Sequence, residues 1–162
     1  MTTRTIITIP DPALRQISDA VDPQAAETAV LIDDMLETMY NAFGVGLAAV
    51  QIGILKRVVV VDVGVVQEAR RDARVLINQV IVDTSTECST FREGCLSLPG
   101  TMVDIVRPAR ITVEYDTLGG GKETLEAEGL LATCLQHEID HLNGTLITDH
   151  GAPVPREPQE SA

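Results

Sequence analysis

The sequence predicts an α+β domain: antiparallel or mixed β-sheets packed around a central metal-binding α-helix, with one further amphipathic helix near the N-terminus. Three observations carry this expectation. Stretches of strand length, rich in valine or alternating in polarity, fill much of residues 57–126. Two longer segments, at about 24–42 and from about 128 to 142, carry apolar residues at helical spacing. The second of these holds His137 and His141, four positions apart, with Glu138 directly after the first.

Taken in order, residues 6–9 are short and apolar, and Pro10-Asp11-Pro12 ends them in a turn. Asp22-Pro23 reads as a helix start, with Asp as N-cap and Pro at the first helical position. Ala29, Ile32, Leu36, Met39, Tyr40 and Phe43 then recur at helical spacing, as on an amphipathic helix that docks on a core. Small residues dominate Gly44-Val45-Gly46-Leu47-Ala48-Ala49-Val50-Gln51, as they do where backbone passes close to a ligand or where a helix turns tightly into a strand. Residues 57–63 read as a buried strand, 67–74 as a surface loop and 75–83 as a second strand. Residues 103–106 and 110–115 are expected as strands of the same sheet, the latter alternating as a half-solvated strand does. Gly119-Gly120-Gly121 returns the chain into 122–126 as a hairpin. Asn143-Gly144 marks the end of the second helix, since both residues tolerate the left-handed conformation. The expectation is a single domain over 1–150 and a disordered tail over 151–162, where three prolines leave little to pack.

Composition narrows the function. A chain of 162 residues suffices for one core. With two Phe, two Tyr and no Trp, that core must be aliphatic. Acidic residues outnumber basic ones 24 to 12, a net charge of −12. That balance argues against binding nucleic-acid phosphates and against anionic membranes. No apolar run approaches a membrane span, and the first ten residues lack the apolar core of a signal peptide. Cys88, Cys95 and Cys134 do not form a disulfide framework. The expectation is a cytoplasmic protein with reduced thiols.

On a helix, His137 and His141 share one face and can bind one metal ion, with Glu138 beside it as a proton carrier. Leu130, Thr133 and Cys134 fall on the same stripe, one or two turns earlier, and would line an apolar pocket next to the ion. A catalytic metal usually takes three protein ligands and keeps one open position. The third ligand is open among Cys95, Cys88, His150 and downstream carboxylates. An isolated cysteine such as Cys95 is more often simply buried, but Gly94 and Leu96-Ser97-Leu98-Pro99-Gly100 around it suggest an ordered turn or strand end.

Three stretches together resemble the signature motifs of the peptide deformylases, in the same order: Gly44-Val45-Gly46-Leu47-Ala48-Ala49-Val50-Gln51, Glu93-Gly94-Cys95-Leu96-Ser97, and Gln136-His137-Glu138-Ile139-Asp140-His141. The resemblance extends from Ile9-Pro10-Asp11-Pro12-Ala13-Leu14-Arg15 to about Asp149. It implies a metal-dependent hydrolase that removes the N-formyl group from N-formyl-methionyl nascent peptides and releases formate. It implies Cys95, His137 and His141 as ligands of one divalent ion, Fe2+ foremost, with Zn2+, Ni2+ or Co2+ able to replace it. Glu138 matches the general acid/base. Gln51 and the backbone N–H of Leu96 match the oxyanion donors, and Gly46 a residue that pairs with substrate backbone. Val45, Phe91, Leu130, Thr133 and Cys134 would surround the methionine side chain. Glu93, beside that slot, would pair with Arg107 and brace the cysteine segment.

The sequence also departs from the family pattern. Phe43 stands where Pro is frequent, and Gly100-Thr101-Met102-Val103 replaces a stretch that often carries an Arg or aromatic residue touching the peptide. No long basic C-terminal helix is expected, so proximity to the ribosome would be transient and without a docking helix. The alternatives are a secondary member with altered substrate or a binding-only role, and a zinc endopeptidase built on the two histidines.

Overall fold

The computed structural model describes residues 2–155. Of the tail expected at 151–162, residues 156–162 lie outside the described residues. Val154 donates its N–H to Met102 O at 2.7 Å.

Helix α1 spans Ala26–Asn41. It begins three residues later than the Asp22-Pro23 signal implied. The Asp22 side chain accepts from Gln24 N and its carbonyl from Thr28 Oγ1, so it closes a turn ahead of the helix and does not cap it. The face carrying Leu31, Ile32, Met35 and Met39 is buried against Leu47, Val58, Val60 and Ile77; Phe43, expected on that face, lies beyond the last helical residue, Asn41, and is exposed. Full burial of side chains such as Met35 and Met39 is worth about 1.5–3 kcal/mol each.

A short strand β1 (Gly46–Ala48) leads into a 3-10 turn, Ala49–Ile52, and then strand β2 (Val58–Val61), fully buried as its four valines require. One helical turn, α2 (Gly64–Gln67), precedes the segment expected as a loop and ends on its first residue. Strand β3 (Arg74–Thr84) follows, then β4 (Cys88–Cys95), β5 (Leu98–Pro108), β6 (Arg110–Asp116) and β7 (Lys122–Glu128). Every strand ladder is antiparallel.

The strands form two sheets. One has the order β1-β2-β3-β6-β7, the other is the β4-β5 pair. The expectation that 103–106 and 110–115 share a sheet is therefore corrected. Residues 103–106 belong to β5 in the two-stranded sheet, and 110–116 to β6 in the five-stranded one. Pro108 has no N–H to continue the ladder, and the chain bends at Ala109, whose N–H goes to Glu87 O. Strand β4 was not expected: 88–95 mixes polar, charged and small residues, and only its partner makes it a strand.

Helix α3 (Gly129–Leu142) runs between the two sheets. Ala132, Leu135 and Leu142 pack on Val59, Val61, Leu76 and Val113 of the large sheet. Its other side meets β5 through polar contacts, and ten of its residues are buried. At its end Asn143 keeps a negative φ, and Gly144 alone turns left-handed at φ 77°. A Cβ on Gly144 would lie 2.6 Å from Arg15 O, so glycine is required there twice over. Among the described residues, no helix is long and apolar enough to cross a membrane.

Candidate active site

Three pieces of chain meet around His137. The first is β1 with its 3-10 turn. Ala48 N–H donates to Gln51 Oε1 at 2.9 Å. A backbone N–H can only donate, so this contact orients the Gln51 amide with its nitrogen away from Ala48. Nε2 then lies 3.1 Å from Ser97 Oγ and 3.7 Å from Cys95 Sγ. Gln51 is buried and held at both ends.

The second piece is the β4–β5 hairpin. Cys95 pairs with Leu98 across a two-residue turn, Leu96-Ser97, with a register shift just before it. This matches the strand end expected around Cys95. The N-terminal segment pins both pieces: Ile7 N–H donates to Gln51 O at 2.7 Å and Ile9 N–H to Ser97 O at 3.0 Å.

The third piece is α3. Cys95 Sγ lies 3.2 Å from His141 Nε2, which lies 3.2 Å from His137 Nε2. The ligand atoms of all three residues fall within 4.8 Å of one another. Of the other candidates for the third ligand, Cys88 is exposed and pairs with Pro108 at the far end of the hairpin. His150 bonds Asp140 at 2.9 Å instead.

The donor set fits a metal ion. Two bonds of about 2.0–2.1 Å meeting near the tetrahedral angle separate their nitrogens by roughly 3.3 Å, close to the spacing seen. His137 Nδ1 bonds Glu93 Oε1 at 2.9 Å, which leaves Nε2 facing Cys95 and His141. Burial lowers the His141 pKa to about 3, with the His137 charge adding to it, so that imidazole is neutral. Burial also disfavours charge on His137, but Cys95 and Glu93 outweigh it and push its pKa up to about 10. The cluster therefore favours positive charge at the centre, whether a proton or a divalent cation.

Glu138 stands beside this centre, its Oε1 3.6 Å from His137 Nε2. Its Oε2 is buried with no hydrogen-bond partner. Burial raises its pKa to about 7, against the attraction of His137 and with repulsion from Glu93. A carboxyl poised near neutrality can both take and give a proton. Gly46 makes room for it: a Cβ there would sit 3.1 Å from Glu138 Cγ.

Glu93 and Arg107 form a buried two-contact ion pair, at 2.7 and 3.0 Å, and Arg107 also donates to Asp140 at 2.8 Å. Burial works against charge on Glu93, but hydrogen bonds from His137 and Arg107 hold its carboxyl below the usual range. Both of its oxygens are thus engaged, although the residue lines the cavity.

That cavity measures about 680 Å³ and opens over the centre. Val45, Gly46, Gln51, Phe91, Glu93, Cys95, Leu96, Leu130, Thr133, Cys134, His137 and Glu138 all line it, while His141 lies beneath. Burial pushes the Cys134 thiol up to about 12, so it is a neutral, apolar wall element. Ser97 and Asp140 were not singled out from sequence. A polar Ser97 between two leucines was a signal that could have found the first, and the need of a buried Arg107 for a second acceptor could have found the other.

Known proteins match the chain along nearly its whole length. The family described as polypeptide deformylase matches residues 3–157. A peptide deformylase of Agrobacterium fabrum is 50% identical over 157 residues, covering 97% of this chain and 92% of that one. One from Rhizobium meliloti is 51% identical over 157 residues, with 97% and 90% covered. Among solved structures, peptide deformylase from Ehrlichia chaffeensis in complex with actinonin has a TM-score of 0.87 at 44% identity, covering 93% of this chain and 89% of that one. The enzyme from Thermotoga maritima has a TM-score of 0.87 at 39% identity, with 94% and 100% covered. The chain belongs to the polypeptide deformylase family.

Proposed function

We propose that this chain hydrolyses the formyl amide of N-formyl-methionyl peptides, giving formate and a free amino terminus, with Cys95, His137 and His141 holding one divalent ion. The observation that carries this reading is the convergence of Cys95 Sγ, His137 Nε2 and His141 Nε2 beside a buried, partnerless Glu138 carboxylate oxygen. A thiolate and two imidazoles suit Fe2+ and Zn2+ alike. Fe2+ is the ion proposed here, with Zn2+, Ni2+ and Co2+ as substitutes. When bound, the ion supplies a Lewis acid next to the formyl carbon.

The remaining work falls to the chain. Glu138 takes a proton from the attacking water and delivers it to the leaving amine nitrogen. Gln51 Nε2, fixed by Ala48 and Ser97, and the Leu96 N–H donate to the oxygen that gains negative charge at the formyl carbon. Gly46 pairs with peptide backbone. Leu130, Thr133, Cys134, Val45 and Phe91 hold the methionine side chain, an unbranched thioether suited to an apolar slot. Glu93 and Arg107 orient His137 and the cysteine strand. The proposed setting is the cytoplasm, on nascent chains, with only transient proximity to the ribosome and no nucleic-acid or membrane partner.

A zinc endopeptidase built on the two histidines would be indifferent to Cys95, and the 3.2 Å between Cys95 Sγ and His141 Nε2 supports the three-ligand reading instead. The test is formate release from formyl-Met-Ala-Ser by the Fe2+-loaded protein without oxygen. Turnover that Glu138→Gln abolishes while metal content persists is the expected result. No turnover above the metal-free control would sink the reading.

A further inference from the structure

Helix α1 ends in an unusual way at the mouth of the cavity. Phe43 N–H donates to Tyr40 O at 3.1 Å and Gly44 N–H to Met39 O at 3.0 Å. These are the paired bonds of a Schellman termination, and the left-handed position in it is Phe43, at φ 57°. Glycine usually stands there, because a β-carbon is disfavoured in that conformation. The ring is also 95% exposed, more than any other large apolar side chain among the described residues.

Both features are unfavourable for the free protein, and a glycine would remove both. The backbone N–H groups alone end the helix, so the ring has no structural duty there. Yet, so exposed, it stands on the rim of the cavity, whose lining it shares with Gly44, Val45 and Gly46, the residues that follow it, and with Pro99 and Gly100. Unfavourable local conformation kept at a site entrance points to a role in binding.

The rest of the site says what meets the ring. With the formyl group at the Cys95–His137–Glu138 end and methionine against Leu130 and Cys134, the peptide leaves through the mouth. Successive side chains of an extended peptide point to opposite faces. The one after methionine therefore turns away from the slot and towards the rim. We infer that Phe43 is a specificity-determining residue that covers the side chain following formyl-methionine and selects an apolar or aromatic residue there. This rests on the formyl-peptide reading of the same cavity.

The test compares formyl-Met-Phe-Ser with formyl-Met-Ala-Ser on the metal-loaded protein. The wild type is expected to prefer the first by roughly tenfold in kcat/KM, the scale of one well-buried apolar contact. Phe43→Gly is expected to bring that ratio to within about twofold, Phe43→Leu to restore part of it, and the melting midpoint of Phe43→Gly to rise. A merely structural Phe43 would lower the midpoint and leave the ratio alone. A wild-type ratio near one, a ratio that survives in Phe43→Gly, or a lowered midpoint overturns the inference. Failure of the wild type to turn over either peptide overturns the deformylase reading instead. Dissociation constants of the two peptides, measured by calorimetry on metal-loaded Glu138→Gln with and without Phe43→Gly, then decide the role of Phe43 by the same ratio.

Discussion

Glu93 Oε1 lies 2.9 Å from His137 Nδ1, and the same carboxylate takes two hydrogen bonds from Arg107. One buried acid thus holds a histidine of α3 to the strand that ends in Cys95. It sets which histidine nitrogen faces the centre, and it compensates a guanidinium that would otherwise be buried with Asp140 alone. The contacts join α3 to the two-stranded sheet at the point where the donor atoms must be held to a fraction of an ångström.

Replacing Glu93 by Gln keeps the shape but removes the charge and weakens the hold on His137 Nδ1. Affinity for Zn2+ is expected to fall roughly 10- to 100-fold, the usual effect of losing a group that orients a ligand. Competition with a chromophoric chelator measures it, and wild-type affinity in Glu93→Gln would refute the orienting role.

Cys95 and Glu93 raise the His137 pKa to about 10, so metal binding must displace a proton from that imidazole. Below that pKa the proton competes with the ion, so affinity is expected to rise with pH, by about tenfold per unit for that one proton. Titrations at pH 6 and pH 8 give the slope. Affinity independent of pH over that range would contradict it.

Gly46→Ala places a methyl 3.1 Å from Glu138 Cγ, tighter than ordinary contact allows. The Glu138 side chain must give by a few tenths of an ångström, where a displacement of about 1 Å can cost on the order of 100-fold in rate. The expectation is a smaller fall in kcat than that, with metal content unchanged. A variant with both properties at wild-type level would show that Glu138 is free to move.

Tyr40 ties the end of α1 to Asp62, whose N–H in turn holds Val45 O. Burial, reinforced by the Asp62 hydrogen bond, raises the Tyr40 pKa to about 12. A raised pKa in the folded state means that the protonated form is favoured. The stabilisation is therefore complete below the unfolded value of about 10 and lost as pH climbs through 12. With two tyrosines and no tryptophan, absorbance at 295 nm reads this directly. Tyrosine ionisation complete near pH 10 in the folded protein would contradict the buried bond.

Much of the site was legible in the sequence because its strongest signals are local. His137, Glu138 and His141 are linked by one helical turn, and Leu130, Thr133 and Cys134 follow from the same 3.6-residue period, so no tertiary knowledge was needed to put them on one face. The buried valines of β2 and the α1 stripe were legible for the same reason. What only the tertiary structure decided is non-local. Cys95 and His141 are 46 positions apart, and it is the β4–β5 hairpin against α3 that brings their donor atoms to 3.2 Å. The division into two sheets turns on Pro108 and on a polar β4 that becomes a strand only beside β5. The second acceptor of Arg107 and the Ser97 clamp on Gln51 depend likewise on partners distant in sequence. A helical period is written in consecutive residues, whereas strand pairing and buried polar partners are chosen by which distant groups can satisfy each other once the core has closed.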